Sequence, residues 1–354
     1  MKKLFYLSIS LIFVFGCADL DLQPTDMISE DAVKKDPKLV EAFLTKIYAN
    51  AVFEPNEVSS MKGQERLTDA VVGAEYTLMA PWQNGVKASY SIPTSSGAHN
   101  NLNRWHYGNI RSCNEIIEIL NNATFDAATV KQQIAEAKFL RAWMYLDMAK
   151  RYGGMPLEIT AKSVDAGTDE LMIPRSTLKA TYDQIISDLD AGIADLPGSA
   201  LYGKASKWAA FALKSRAALY AARIAKYHPQ SADGLTSIPS GSAGGYYASA
   251  LASANAVIDG GKHALHTGSN KETTFGEIFY KVKGISEIIF SEEYNTGLGK
   301  THAWSGYALP DGFKAGWGSN MHMYVASDAR FEYQDGSPGD THHAKFNNKT
   351  FFDI

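Results

Sequence analysis

Apolar residues recur at helical spacing through most of the first 260 positions, and each run carries its own start and stop signals. Asp36 and Pro37 supply an N-cap followed by proline at the first helical position, and behind them Leu39, Val40, Phe43, Ile47 and Tyr48 share one stripe. Residues 103–121 place Ile110, Cys113, Ile117 and Leu120 together. Residues 177–196 carry Leu178, Tyr182, Ile185, Ile186, Leu189, Ile193 and Leu196, the most regular amphipathic pattern in the chain. Residues 205–227 contain nine alanines, and a second alanine-rich run over 246–259 stops at Gly260-Gly261. Residues 131–151 depart from this pattern. They read as one helix that is apolar nearly all the way round and ends at Gly153, Gly154 and Pro156. Asp147 and Arg151, four apart, are expected to pair on whatever narrow side reaches water.

Alanine-rich helices let neighbouring backbones approach closely. Helix pairs joined by short Gly/Pro turns predict a mostly α fold, a tetratricopeptide-like array of helical hairpins with an irregular period. An inner helix of such an array packs on its own partner and on the next hairpin, so it must be apolar on two faces, as 135–151 is. After about residue 270 the texture changes. GEIFYKV (276–282) and SEIIFSEEY (286–294) read as short strands. Residues 295–354 are rich in Gly, Trp, His and Asn without a helical stripe, which predicts long irregular loops with a few short strands towards the C-terminus.

The first residues change the picture. Lys2 and Lys3 precede twelve uncharged residues, Leu4 to Phe15, and then Gly16-Cys17. That is the order of a secretory signal, with an apolar stretch too short to span a bilayer. Val14-Phe15-Gly16-Cys17 resembles a bacterial lipobox cut just before Cys17, although Phe15 stands where a small residue is usual. Cys17 would then carry a diacylglycerol thioether and an N-acyl chain, enough for stable anchoring. Loss of Lys2 and Lys3 with residues 1–16 takes the net charge from −4 to −6. No basic field remains to attract nucleic acid. Cys113 is the one other cysteine, so no disulfide framework exists, and it reads as a small buried hydrophobe.

Taken together, these residues resemble the SusD/RagB family of outer-membrane nutrient-binding lipoproteins over most of 17–294. The strongest element is Glu136 to Ala142 through Arg151-Tyr152-Gly153-Gly154-Met155-Pro156-Leu157, which is similar to the family's "RLYGG-x-PL" helix ending. CADLDLQPTDMIS, NIRSCNEII (109–117), residues 173–197 and 203–222, and SEIIF follow in the family's order. The resemblance implies a lipid-anchored surface protein that caps a SusC-like TonB-dependent transporter and passes it oligosaccharides or other nutrients. It also implies a division into a signal peptide (1–16), an acylated tether (17–36), a helical domain (37–270) and a loop-rich region (271–354), the last being a shortened form of the family's C-terminal part.

Motifs for chemistry are sparse. There is no G-x-S-x-G, H-E-x-x-H, Walker loop or C-x-x-C. His342-His343 beside Asp340 reads as solvated, and residues 335–340 as a turn, so neither a metal nor a cofactor is expected. The chain does hold 18 Tyr, 16 Phe and 6 Trp, and some sit where a core would not use them. A sugar presents apolar C–H faces ringed by hydroxyls, so its site needs an aromatic platform with amide or carboxylate partners at the edge. Two Gly/Pro-rich segments have that composition: 79–85, with Trp82 and Asn84, and 302–320, with Trp304, Tyr307 and Trp317. Trp143, Trp208 and Tyr182 lie on helical stripes and read as core, Trp105 near a helix start reads as packing, and Arg141, Gly153, Gly154 and Pro156 read as structural. The sequence therefore points to a non-enzymatic, glycan-binding lipoprotein of the outer membrane facing the cell exterior. A helical glycoside hydrolase or lyase and a protein-assembly scaffold stand as the alternatives.

Overall fold

In the computed structural model, the described residues are 29–51, 71–73, 105–163, 165–199, 203–281, 283–294, 297 and 321–323. Their helices are α1 (Glu30–Val33), α2 (Pro37–Asn50), α3 (Tyr107–Asn121), α4 (Ala127–Tyr152), α5 (Thr168–Leu171), α6 (Leu178–Ile193), α7 (Lys207–Tyr227), α8 (Ala243–Asp259) and α9 (Lys271–Tyr280). The N-caps are those that short polar side chains make. Asp36 accepts from Lys38 N (2.8 Å), Asp126 from Thr129 N (2.9 Å), Thr177 from Ala180 N (3.2 Å) and Ser206 from Ala209 N (3.1 Å). Strands β1 (Val71–Gly73) and β2 (Met321–Met323) pair antiparallel, with Val72 opposite His322.

Successive helices pack as hairpins. α3 lies on α4, α4 on α6, α6 on α7 and α7 on α8, while α2 closes the start of the array against α3 and α4. The two-faced apolar pattern of α4 follows from this. It is enclosed by α2 and α3 on one side and α6 on the other, and from Phe139 to Ala149 every residue is buried. Trp143, Trp208 and Tyr182 are buried as the stripes predict, and Cys113 is inaccessible, its thiol pushed up to about 12 by burial. The alanines of α7 (Ala209, Ala210, Ala217, Ala218, Ala221, Ala222) are buried where the helix meets α6 and α8. These are the close backbone approaches that alanine permits.

Two expectations need correction. GEIFYKV is helical through Tyr280, not a strand, while 286–294 begins in a turn at 286–287 and pairs in no ladder among the described residues. The helix wins because Asn270 caps it at Thr273 N (3.0 Å), and Glu277 pairs with Lys281 one turn on (2.6 Å) and with His266 (2.7 Å). Phe290 of that segment lies 5.6 Å from the Phe139 ring, which sets it against α4. Asp147 and Arg151 do pair, but in the interior: their side chains are 5% and 7% exposed, and Asp147 also meets the His106 ring at 3.0 Å.

Candidate functional site

Among the described residues, α4 and the loop behind its end carry a dense set of side-chain hydrogen bonds. Arg141, 4% exposed, donates from Nε and Nη2 to the two carboxylate oxygens of Asp188 (2.8 and 2.6 Å). Its Nη1 donates to Asn114 Oδ1 (2.6 Å) and to the Ile159 carbonyl (2.9 Å). Burial alone would lower the guanidinium's affinity for its proton, and Asp188 more than restores it. Asn114 in turn donates to the carbonyls of Glu158 (3.0 Å) and Thr160 (3.1 Å). One buried fork thus ties α3, α4 and α6 to the 158–160 loop, which is the structural role read for Arg141 in the sequence.

Gly153 and Gly154 turn the chain at close quarters. Gly153 has φ +80°, and a Cβ there would stand 2.3 Å from the Leu235 carbonyl oxygen. A Cβ on Gly154 would stand 2.1 Å from the Ser176 carbonyl oxygen. Arg175 clamps the turn by donating to the carbonyls of Gly154 (2.8 Å) and Tyr152 (2.5 Å). Met155 N donates to Thr181 Oγ1 (3.1 Å).

Against this turn lies an aromatic group. Trp105 stacks on Tyr152 with ring centroids 4.6 Å apart and planes 9° from parallel, and Tyr107 lies 6.0 Å from Trp105. Tyr107 Oη donates to the Pro156 carbonyl (2.9 Å). Its phenol holds its proton well above the ordinary range, chiefly through burial and then through the nearby Glu158 charge. Trp105 therefore packs on one side, as expected of it, yet it is 58% exposed. A shallow groove of about 440 Å³ continues from Tyr107 along Pro156, Glu158, Met172, Ile173 and Pro174. A larger cavity of about 590 Å³ lies between α4, α7 and 287–294, lined by Phe139, Trp143, Arg216, Phe290, Glu292 and Tyr294.

The residues singled out for ligand contact, Trp82, Asn84, Trp304, Tyr307 and Trp317, and the lipidation candidate Cys17, lie outside the described residues. So do His342, His343 and residues 335–340. Among the described residues, no group of three His, Cys, Asp or Glu side chains could hold a metal ion, and no helix is long and apolar enough to cross a membrane. Sequence reasoning missed the exposed side of Trp105. The signal available was its place just outside the helical stripe of α3.

Residues 20–219 match the SusD-like family model described as "Starch-binding associating with outer membrane", and the chain belongs to that family. Solved structures agree on the fold. A SusD-like protein of Bacteroides fragilis superposes with a TM-score of 0.65 at 24% identity, over 89% of this chain and 56% of its own. A SusD superfamily protein of Parabacteroides distasonis gives 0.61 at 19%, over 87% and 62%. A SusD-like carbohydrate-binding protein of Bacteroides fragilis gives 0.58 at 17%, over 86% and 55%. The chain thus spans less than two thirds of the length of these structures. No curated protein matches the sequence.

Proposed function

We propose that this protein is a lipid-anchored, non-enzymatic glycan-binding protein on the outer face of the outer membrane, and that it delivers its ligand to a SusC-like TonB-dependent transporter. The observation that carries the reading is the family match over residues 20–219, whose description names starch binding and the outer membrane. The lipobox-like Val14–Cys17 stretch supports an anchor at Cys17, and the division into signal (1–16), tether (17–36), helical domain (37–270) and loop-rich region (271–354) goes with it. The lack of catalytic motifs in the sequence supports binding without bond cleavage. Trp82, Asn84, Trp304, Tyr307 and Trp317 are the proposed ligand contacts. They have the stacking rings and amide edge that a sugar requires.

The test is native affinity electrophoresis of the detergent-solubilised full chain through gels containing amylopectin, xyloglucan, galactomannan or polygalacturonate. Reducing ends are assayed on the same samples. Retardation by a glycan without new reducing ends is expected. New reducing ends would replace this reading with a glycan-cleaving enzyme, and free migration in every gel would end the glycan reading.

A further inference from the structure

The exposed indole of Trp105 and the groove behind it have a composition that the core does not account for. Trp105 is 58% exposed although one of its faces lies on Tyr152. Its position is fixed before any ligand arrives. His106, the next residue, is buried, donates its N–H to Met148 Sδ (3.4 Å) and meets Asp147 through its ring (3.0 Å), and Asp147 is held by Arg151. Residue 105 is therefore pinned to α4 through its neighbour, and Tyr107 is pinned by its bond to the Pro156 carbonyl. A platform immobilised in this way loses little conformational freedom when a ligand lies on it.

In the groove that it lines together with Tyr107, the Glu158 carboxylate makes no hydrogen bond or ion pair among the described residues, although its charge is felt by the Tyr107 phenol. A purely apolar partner would leave such a carboxylate desolvated and unpaired, which is costly. A sugar would not, because its hydroxyls donate to a carboxylate while its C–H face lies on an aromatic ring. The groove holds about 440 Å³, room for one or two sugar rings, and Met172, 72% exposed, forms an apolar rim.

We propose that Trp105, Tyr107 and Glu158 form a sugar-binding subsite on the helical array, selective for neutral glycans and made of residues other than the proposed contacts Trp82 and Trp304. It rests on the glycan-binding reading above and adds a place on the helical array where a chain of sugars would be held. The Glu158 charge sets the selectivity, since a uronic acid would bring a second carboxylate beside it.

The affinity gels test it with Trp105→Ala, Trp105→Phe, Glu158→Gln and Trp82→Ala. For the neutral glycan that retards the wild-type chain, Trp105→Ala should weaken retardation about tenfold, the effect of losing one stacking ring. Trp105→Phe should retain most of the binding, and Glu158→Gln should weaken it less than Trp105→Ala does. The melting temperature of Trp105→Ala should fall only slightly, because the ring keeps one face on Tyr152 and is otherwise exposed. Wild-type retardation by polygalacturonate alone would overturn the neutral-glycan assignment. Retardation lost in Trp82→Ala and unchanged in Trp105→Ala would overturn this subsite and leave the general reading standing. Unchanged glycan binding with reduced co-purification of an outer-membrane transporter would make Trp105 a protein contact instead. Absence of retardation in wild type would remove both readings together.

Discussion

Replacement of Asp188 by alanine tests the account of the buried fork most directly. Asp188 accepts two charge-assisted bonds from Arg141, at 2.8 and 2.6 Å, and one from Gln184 Nε2 at 3.2 Å. Both side chains are about 5% exposed, so no water stands ready to replace the lost oxygens. Each charge-assisted bond contributes roughly 1.5–3 kcal/mol. Breaking a buried pair from one side typically costs about 3–5 kcal/mol, because the remaining charge is left desolvated. The two figures agree, and the loss is a large part of the ~5–15 kcal/mol that keeps a domain folded. Urea unfolding of the full chain, followed by far-ultraviolet circular dichroism, should show the unfolding free energy falling by that amount, as a lower midpoint at an unchanged slope. The paired variant Arg141→Met with Asp188→Leu should recover part of the loss, since neither charge is then buried alone, although the Asn114 and Ile159 oxygens lose their Arg141 donor. A loss below about 1 kcal/mol in Asp188→Ala would mean that the fork is not the clasp described here. A double variant no more stable than Asp188→Ala would show that the cost comes from packing and not from an abandoned guanidinium.

Other consequences follow from the same geometry. Gly154→Ala would drive a Cβ to 2.1 Å from the Ser176 carbonyl oxygen, with the backbone of Thr177 and Leu178 2.8 Å away, so neighbouring backbone must move. A loss of about 1–3 kcal/mol is expected, and a melting temperature equal to wild type would show the turn to be more open than described. Glu136 is 3% exposed, and burial raises its carboxyl pKa above the ordinary 4.5 despite the opposing pull of Lys204. The folded state therefore binds this proton more tightly than the unfolded one. The contribution of Glu136 to stability falls as pH rises from the ordinary carboxylate value through the raised one. Glu136→Gln should gain stability relative to wild type as pH increases across that window, and parallel pH profiles for the two proteins would refute the assignment.

Much of the array was legible along the chain because helix signals are local. Asp36 caps the turn that follows it, and stripes such as Leu178, Tyr182, Ile185 and Leu189 depend only on the 3.6-residue repeat. The two-faced apolar run of 135–151 announced that α4 is covered on two sides. Residues 276–282 misled because a short apolar run has no decisive period. What settled them was the cap at Asn270 and the Glu277 contacts with Lys281 and His266.

The site was less legible, for a different physical reason. Aromatic composition on Gly/Pro-rich segments pointed to Trp82 and Trp304, but whether a tryptophan stacks inward or faces solvent depends on partners distant in sequence. Trp105 meets Tyr152 across 47 positions, and Glu158 reaches Tyr107 through a loop tied down by Arg141 and Asn114. The interior burial of Asp147 and Arg151 likewise required His106 to arrive from another helix. The sequence by itself determined the family, the helices and the two-faced character of α4, since these rest on local periodicity and on motif order. Only the tertiary structure decided which polar residues are buried and which aromatic ring is offered to solvent, because both depend on which side chains the packing of helices brings together.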